Sequence, residues 1–375
     1  MNNKFKFGEL FCELPKSKRV AKDGSTSGIY PFFVCSEIVY RSNFSDYKEE
    51  ALILSTGGKA NIHYCNSNFS TSTDSWVIKI TSDKLDTKYA FYLLESKKRI
   101  IEELGFQGSG LKHLNKEFIR NMEIFIPPLH EQKKIVDLLT LIDNLLDQLT
   151  LKIQSLYFFR KALFQRLSAI SSNSIKVKFG EIIEEIRSGW SPLCNPQERI
   201  GIAPGVLKTT AINWDGYTPS ENKALPKSLE VKKQSIVQDQ DILCTRKGPM
   251  QRVGVVCYVE KTPVNLILPD TAFRIRVSNR FNAKFIALVL ETDFVQKEWY
   301  KKKVGLADEQ VNINHGIIKE TEIPIPSATI QDEFVELFTL NMNMIDNLKK
   351  QIKSLTQLKK GLSIDLLLVH KSGSD

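Results

Sequence analysis

The chain has 375 residues, of which 42% are hydrophobic and 25% are charged, and it carries a formal net charge of +9 at pH 7. This length allows two domains of ordinary size, and the composition is that of a globular protein rather than a disordered one. No apolar run approaches the ~20 residues that span a bilayer, and the N-terminus lacks the apolar core of a signal peptide, so we expect a cytoplasmic protein. The cysteines lack metal-ligand spacing, which predicts reduced thiols and no structural metal.

The excess of positive charge favours a polyanionic partner. Basic residues form short clusters at 16–19, 97–99, 246–247 and 301–303. Each phosphate that such a side chain neutralises releases counterions and adds affinity for nucleic acid. Charge alone does not decide the matter, because many basic proteins bind no polyanion.

Residues 1–128 predict a mixed α/β domain. Apolar strands are expected at 51–55, 62–64 and 76–80, a helix near 88–104, and a polar loop at 106–113. A glycine-containing turn follows the first of these strands. The turn and the loops carry side chains that can hold phosphates or contact base edges. The candidate DNA contacts in this domain are Lys59, Asn61, Ser70, Thr73, Gln107, Ser109, Lys112 and His113.

Residues 129–171 predict one long helix. Ile-Pro-Pro at 126–128 precedes a stretch without glycine or proline, and proline at that place marks a strand-to-helix joint. Apolar residues then alternate at spacings of three and four, which is typical of a coiled-coil seam. A flanking row at Leu139, Leu146, Ile153 and Leu167 widens this seam. The predicted interface positions are Ile135, Leu138, Ile142, Leu145, Leu149, Leu156 and Leu163.

Residues 172–327 predict a second mixed α/β domain. Strands are expected at 241–245, 253–256 and 273–277, a helix near 284–302, and a polar loop at 305–314. The turn after the first strand differs in sequence from its counterpart in the first domain. The candidate DNA contacts here are Lys208, Thr209, Arg246, Lys247, Gln251, Arg252, Asn312 and Asn314. Arg246 and Lys247 are expected to contact phosphates, and Gln251, Asn312 and Asn314 to contact bases.

Residues 328–375 predict a second long helix, with polar Asn341 and Gln351 in its apolar row. Its predicted interface positions are Phe334, Leu337, Met344, Leu348, Leu355 and Leu362.

The chain contains an internal repeat. Residues 123–167 return without a gap as 322–366, and 18 of these 45 positions are identical. The period is too long for a solenoid and indicates two copies of a domain followed by a helix. The ends of each copy match whereas the middles hardly do, which favours a shared scaffold with two recognition surfaces. Neutral divergence of two copies would leave a similar pattern.

Neither long helix can bury its apolar stripe against its own domain alone. We expect the two helices to pack along each other, and the pseudo-two-fold relation between the copies makes that packing antiparallel. The alternative is two separate helices that each cap their own domain.

No catalytic motif is complete. Gly57-Gly58-Lys59 resembles part of a phosphate-binding loop, but Ala60 follows where serine or threonine is required. A glycine-rich S-adenosylmethionine loop, a helicase motif and a nuclease carboxylate set are also not evident. The sequence therefore predicts a non-catalytic chain with no metal or cofactor of its own.

Several motifs together resemble a known family. They are Phe-Gly-Glu at 7–9 and 179–181, Gly-Ser-Gly-Leu-Lys-His at 108–113, Ile-Pro-Pro-Leu-His-Glu-Gln at 126–132, and Arg-Ser-Gly-Trp-Ser-Pro at 187–192 with Asp-Ile-Leu at 241–243. With the duplicated layout, these motifs resemble the DNA-specificity subunit of type I restriction-modification systems. The second joint, Ile-Pro-Ser-Ala-Thr-Ile-Gln at 325–331, departs from the first.

The resemblance implies an α/β fold in which two pseudo-symmetric target-recognition domains, at 1–128 and 172–327, are joined by an antiparallel coiled coil of the helices at 129–171 and 328–375. Each domain would read one half of a split site in double-stranded DNA, and the helices would set the separation. Two methyltransferase subunits would supply S-adenosylmethionine and methylate adenine at N6, and restriction/translocase subunits would supply ATP- and Mg-dependent cleavage.

Two alternatives stay open. The chain could serve a restriction enzyme whose methyltransferase and nuclease share one polypeptide, which neighbouring genes or co-purified subunits would reveal. It could also be a structural coiled-coil adaptor without DNA, in which case lysine and arginine would not line one face of both domains.

Overall fold

The computed structural model describes residues 4–172, 174–194, 196–305 and 310–368. The chain divides into two compact units, one formed by Met1–Leu151 with Lys349–Asp375 and the other by Lys152–Leu348. Each unit thus contains one predicted domain and a segment of both long helices. Part of the predicted polar loop, at 306–309, and the end of the predicted second helix segment, at 369–375, lie outside the described residues.

The first unit is built on a four-stranded antiparallel sheet with the order β2-β8-β5-β6. Its central strand, Ala51–Ser55, is buried along its whole length, as its continuous apolar run predicts. A three-stranded sheet, β4-β3-β7, and two-stranded pairs complete the unit. The strands are β1 Lys4–Lys6, β2 Phe11–Glu13, β3 Tyr30–Phe33, β4 Tyr40–Ser42, β5 Ala51–Ser55, β6 Ile62–Cys65, β7 Ser70–Thr71, β8 Ser75–Ile80, β9 Phe106–Gln107, β10 His113–Leu114 and β11 Glu123–Phe125.

The first unit also contains helices, of which the one at 87–96 packs on its sheet. Those before the long helix are short, and the helix expected near 88–104 is interrupted at Lys97, after which a π-helical turn spans Ile101–Gly105. The long helix α4 begins at Leu129, directly after the Pro-Pro joint. The helices are α1 Thr87–Ser96, α2 Lys98–Ile100, α3 Lys116–Arg120 and α4 Leu129–Ser172.

The second unit repeats this plan. Its four-stranded antiparallel sheet has the order β13-β22-β18-β20, and three-stranded sheets β17-β14-β21 and β19-β24-β23 flank it. The strands are β12 Ile175–Lys178, β13 Ile183–Ser188, β14 Gly205–Leu207, β15 Ile212–Asn213, β16 Gly216–Tyr217, β17 Asn222–Ala224, β18 Ile242–Thr245, β19 Lys247–Gly248, β20 Val256–Tyr258, β21 Leu266–Ile267, β22 Ala272–Val277, β23 Val304–Gly305, β24 Val311–Asn312 and β25 Glu322–Ile325.

Two sequence predictions differ from the structure here. The strand expected at 253–256 begins only at Val256. The helix expected near 284–302 is broken at Thr292, whose backbone is extended and whose hydroxyl donates to the carbonyl of Val289 at 2.7 Å. A side chain that hydrogen-bonds its own backbone competes with the helix in this way. The helices are α5 Phe179–Ile182, α6 Ala283–Glu291, α7 Asp293–Lys302, α8 His315–Lys319 and α9 Ala328–Leu367.

The long helical segments run antiparallel within each unit, as predicted. In the first unit Asp143 of α4 accepts a hydrogen bond from Lys359 of α9. In the second, Asn341 Nδ2 donates to the carbonyl of Leu156 at 3.1 Å, and the rings of Phe164 and Phe338 lie 5.5 Å apart. Residue numbers rise along one segment as they fall along the other, so the fold class is confirmed.

Most predicted seam positions are buried or half-buried, but at four of them the covered residue is the next one along the helix. Leu139 and Ile345 are fully buried, whereas Leu138 and Leu145 are each 39% exposed. Leu337 and Met344 are likewise 39% and 45% exposed, so these four seam positions were predicted wrongly. The reason is that the domain also covers the helix: Leu139 belongs to the core of the first unit, which turns the neighbouring leucines outward. The buried and half-buried rows are Leu139, Ile142, Leu146, Leu149, Ile153, Leu156, Arg160, Leu163 and Leu167 in α4, and Phe334, Phe338, Asn341, Ile345, Leu348, Ile352, Leu355, Lys359 and Leu362 in α9.

The repeated glutamine at the start of each long helix fixes the helix to the strand before it. Gln132 is fully buried, and its amide nitrogen donates to the carbonyls of Lys84 at 2.7 Å and Pro127 at 2.8 Å. Its counterpart Gln331 donates to the carbonyl of Pro326 at 2.9 Å. These bonds satisfy buried polar groups at the joint. Glutamine at this position therefore has the same structural role in both copies.

Candidate nucleic-acid interface

In each unit, the structure brings together a turn and a loop that are far apart in sequence. In the first unit the amide of Gly58 donates to the carbonyl of Lys112 at 2.9 Å, and the amide of Leu114 donates to the carbonyl of Thr56, also at 2.9 Å. In the second unit Lys247 and Asn312 are paired residues of β19 and β24. The turn after the central strand and the polar loop thus form one surface in each unit.

The surface of the first unit is polar and exposed. Gly57 forms an isolated bridge with His113, which joins the two segments. A third segment borders them, because the amide of Thr73 donates to the carbonyl of Arg19 at 2.7 Å. The predicted residues exposed on this surface are Lys59, Gln107, Ser109, Lys112 and His113, with Thr73 half-buried.

Sequence reasoning left the segment around Arg19 out of the candidate residues. Lys16 and Lys18 are exposed, and the Arg19 guanidinium is held by Asp46, with Nε to Oδ2 at 2.7 Å and Nη2 to Oδ1 at 3.0 Å. The cluster of three basic residues was the available signal. Its position beside Thr73 adds exposed positive charge to the surface.

Two candidates of the first unit are buried. Ser70 is 0% exposed, and its hydroxyl donates to the carbonyl of Phe44 at 2.7 Å and accepts from the amide of Asp46 at 3.1 Å. Asn61 is 6% exposed. Since DNA cannot reach a side chain enclosed in the domain, we leave both out of the candidate interface.

The candidate residues of the second unit fall into two groups: some side chains are exposed, and others are bonded within the unit. Gln251 and Asn312 are exposed, whereas Lys247 is tied to the carboxylate of Asp270. Asn314 caps α8, with its side-chain oxygen accepting from the amide of Ile317 at 3.0 Å. The capping bond gives Asn314 a structural task at the edge of the surface.

Three further candidate residues of this unit bond to other residues of the same unit. Arg252 donates through Nη2 to the carbonyls of Thr209 at 2.9 Å and Ile212 at 2.8 Å, which cross-links two loops. The hydroxyls of Thr209 and Thr271 lie 2.7 Å apart. Lys208 contacts Glu221 at 3.5 Å. Of the three, Lys208 keeps the most accessible charge, because its side chain is 35% exposed.

His315 lies on the same surface and was not predicted. Its ring centroid is 4.5 Å from that of Phe273, and Arg246 lies over the same phenylalanine at 5.0 Å. Burial, together with the nearby charges of Arg246 and Lys319, lowers the pKa of His315 below its ordinary value. His315 is therefore neutral near pH 7. No sequence motif marks it. Its segment is brought towards Phe273 by the main-chain bonds of Arg246 to Thr271 and Ile313.

A buried ion cluster links α4 to the rest of the second unit. Arg160 is 8% exposed and contacts Asp215 at 3.1 Å and Glu291 at 3.3 Å. Burial raises the pKa of Glu291 to about 8, and Arg160 opposes this shift. Within the described ranges the acidic, histidine and cysteine side chains form no group able to hold a metal ion, and none of the helices seen there could cross a bilayer.

Comparison with known proteins gives consistent results. The family described as the type I restriction modification DNA specificity domain matches residues 2–156 and 202–357. The EcoEI specificity subunit of Escherichia coli is 37% identical over 191 residues, which cover 50% of this chain and 32% of that protein. The MjaVIII specificity subunit of Methanocaldococcus jannaschii is 22% identical over 391 residues, covering 95% of this chain and 89% of that protein.

Solved structures share the fold. The S subunit of a type I restriction-modification system from M. genitalium superposes with a TM-score of 0.70 at 18% identity, covering 98% of this chain and 96% of that one. A chain from a study of complex assembly and conformational transition in the type I system superposes with a TM-score of 0.52 at 14% identity, covering 97% and 96%. Because the family match includes both copies of the repeat and most of the chain, this protein belongs to the family of type I restriction modification DNA specificity domains.

Proposed function

We propose that this chain is the non-catalytic DNA-recognition subunit of a type I restriction-modification enzyme, and that each unit reads one half of a split site in double-stranded DNA. The observation that carries the proposal is the surface formed in each unit by the turn after the central strand and the polar loop. Exposed lysine, glutamine, asparagine and histidine side chains gather there, and they differ between the two copies. Such side chains suit phosphate and base contacts in the major groove.

Methyltransferase subunits are the proposed partners of the long helices. One row of three exposed apolar residues in each long helix recurs at an offset of 199 (337 − 138). A helix of a partner could cover such a row, since exposed apolar stripes mark interaction surfaces. Two equivalent rows fit two copies of one partner. The exposed residues are Leu138, Leu141 and Leu145 in α4, and Leu337, Leu340 and Met344 in α9.

Catalysis belongs to the partners in this proposal. The methyltransferase subunits would bind S-adenosylmethionine and flip adenine into their own pocket for methylation at N6. Restriction/translocase subunits would bind ATP and Mg and cut the DNA. The purified chain alone should transfer no labelled methyl group and cut no DNA, and methylation should begin when the methyltransferase subunit is added.

Methylome sequencing tests the proposal directly. Cells that contain the gene and its neighbours should carry N6-methyladenine in one bipartite motif, and deletion of this gene alone should abolish that methylation. The double substitution L141D/L340D should remove the methyltransferase from the complex that co-purifies with the chain, whereas K59A should leave that complex intact. Methylation that persists without the gene would contradict the proposal.

A further inference from the structure

The two units place different side chains over an equivalent buried ring. Trp76 in β8 and Phe273 in β22 pair with the same position of the neighbouring central strand, and both are buried. In the first unit Lys116 lies 4.8 Å from the tryptophan ring. In the second, Arg246 lies 5.0 Å from the phenylalanine ring, and the His315 ring packs on it as well.

The charge over this ring is neutralised in the first unit only. Glu13 accepts from Lys116 at 2.9 Å and also from Arg120. At the register position that Glu13 occupies in β2, the second unit has Ile186 in β13. Among the described residues no carboxylate forms an ion pair with Arg246. Asp270 contacts Lys247, and the charge of Arg246 helps to lower the pKa of Asp270.

Arg246 is also held rigidly. Its amide donates to the carbonyl of Thr271 at 2.8 Å, and its carbonyl accepts from the amide of Ile313 at 2.8 Å. Its Nε is buried without a hydrogen-bond partner, and its guanidinium packs on the Phe273 ring. The main-chain bonds fix the backbone of Arg246, and the ring contact restricts its guanidinium, which lowers the conformational entropy lost when the side chain binds a ligand.

The lower exposure of Arg246 favours a base over a phosphate. Its side chain is half-buried, whereas the neighbouring side chains of Lys247, Gln251 and Asn312 are exposed and reach a phosphate backbone more easily. Guanine offers two acceptors, N7 and O6, in the plane that an arginine fork matches, and this is the commonest specific contact in the major groove.

The equivalent backbone position in the first unit cannot do this. Thr56 makes the same two main-chain bonds, donating to Asp74 at 3.0 Å and accepting from Leu114 at 2.9 Å. Its hydroxyl donates to the carbonyl of Asp74 at 2.6 Å and is thus engaged within the unit. The first unit has no fork at this place.

We propose that Arg246 recognises a guanine through N7 and O6 in the half-site read by the second unit, rather than a phosphate as the sequence suggested. This inference rests on the proposed function. It also assigns different tasks to the neighbours Arg246 and Lys247, with Lys247 contacting the backbone.

The test uses the complex that co-purifies with the full chain and duplexes carrying the methylated motif found in cells. Replacing the guanine by 7-deazaguanine removes N7 and leaves every phosphate in place. For the unsubstituted protein, this replacement should weaken binding by about fivefold to 150-fold at one guanine of the second unit's half-site. R246A should bind the two duplexes equally, and R246K, which keeps the charge but loses the fork, should resemble R246A.

K247A is the matched control. It should weaken binding to specific and random duplexes alike, lower the salt dependence by about one unit, and keep the response to 7-deazaguanine. Thermal melting of each variant shows whether it is folded, and R246K, which keeps a cation near the Phe273 ring, should melt close to the unsubstituted protein.

Two negative results have different meanings. If R246A keeps the response to 7-deazaguanine, or no guanine in the half-site responds, the inference is wrong while the proposed function stands. If the unsubstituted complex shows no bipartite motif at all, the proposed function fails and the inference fails with it.

Discussion

In the first unit Lys88 lies 5.6 Å from the ring of Tyr64, and in the second Lys284 lies 5.7 Å from the ring of Tyr258. The two lysines recur at an offset of 196 (284 − 88), in the first turn of α1 and of α6. At the proposed DNA surface the two units share no such pair, because Thr56 of the first unit occupies the position that Arg246 occupies in the second. Contacts that build the scaffold are repeated, whereas side chains that face a ligand have diverged.

Packing keeps buried residues under neutral divergence as well, so the two interpretations differ in what they expect at the polar surface. The buried glutamines at the helix joints and the asparagines that cap α3 and α8 are the same in both copies. The polar segments beside those caps differ in length and in charge. The comparison therefore favours two recognition surfaces on one scaffold.

The largest expected effect comes from a charge in the buried helix row. L139D should lower the free energy of unfolding by about 4 kcal/mol, because an unpaired carboxylate would lie in a fully apolar core. L138D is the matched control, one residue away and 39% exposed, and it should cost less than about 1 kcal/mol. Urea denaturation of both variants measures the difference. Equal losses of unfolding free energy would contradict the observation that Leu139, and not Leu138, faces the core.

The next effect concerns base contacts. Q251A and N312A should each relax the choice of base at one position of the second unit's half-site, at a cost of about 1 to 3 kcal/mol for a bidentate pair. K59A, on the other unit, should leave that half-site unchanged. Methylome sequencing of cells with each variant reads both halves at once. An equal loss of binding affinity for specific and random DNA would exclude Gln251 and Asn312 as base contacts.

A smaller effect should appear in the pH dependence of stability. Glu291 has a folded pKa of about 8 against an ordinary value of 4.5, so between these values the folded state binds more protons than the unfolded state. Stability of the unsubstituted protein should therefore fall as pH rises through this window, by up to about 1.4 kcal/mol per pH unit. E291Q should remove this slope.

The counterpart Glu95 provides the control for that measurement. Burial raises the pKa of Glu95 as well, and Lys98 and Lys359 oppose the shift. Two cations oppose burial at Glu95 whereas only Arg160 does so at Glu291, so E95Q should change the pH dependence less than E291Q does. Chemical denaturation at pH 5.5 and pH 8 compares the variants, and an unchanged slope in E291Q would show that Arg160 keeps Glu291 charged.

The sequence predicted the parts of the fold that depend on local pattern. The apolar run at Ala51–Ser55 is a central strand, and the helix after the Pro-Pro joint begins at Leu129. The choice between neighbouring leucine rows failed, because Leu138 and Leu139 fit a spacing of three and four equally well. Only the domain that covers Leu139 decides between them, and that contact is not a property of the helix sequence.

The candidate site was predictable as segments but not as individual contacts. The turns and loops named from their composition do meet in each unit. The burial of Ser70 and the carbonyl contacts of Arg252 depend on hydrogen bonds to distant backbone, which a polar residue in a sequence does not reveal. The contact between His315 and Phe273 was missed for the same reason, since main-chain bonds of Arg246 to Thr271 and Ile313 bring their segments together.

The central claim is that the two units carry separate recognition surfaces on a repeated scaffold, and a domain exchange tests it most directly. Residues 172–327 would be replaced by the equivalent segment of a relative, with both long helices kept, and the methylated motif would be read by sequencing. The account predicts that one half of the bipartite motif changes and the other half stays identical. A change in both halves, or an unchanged motif together with full methylation, would contradict it.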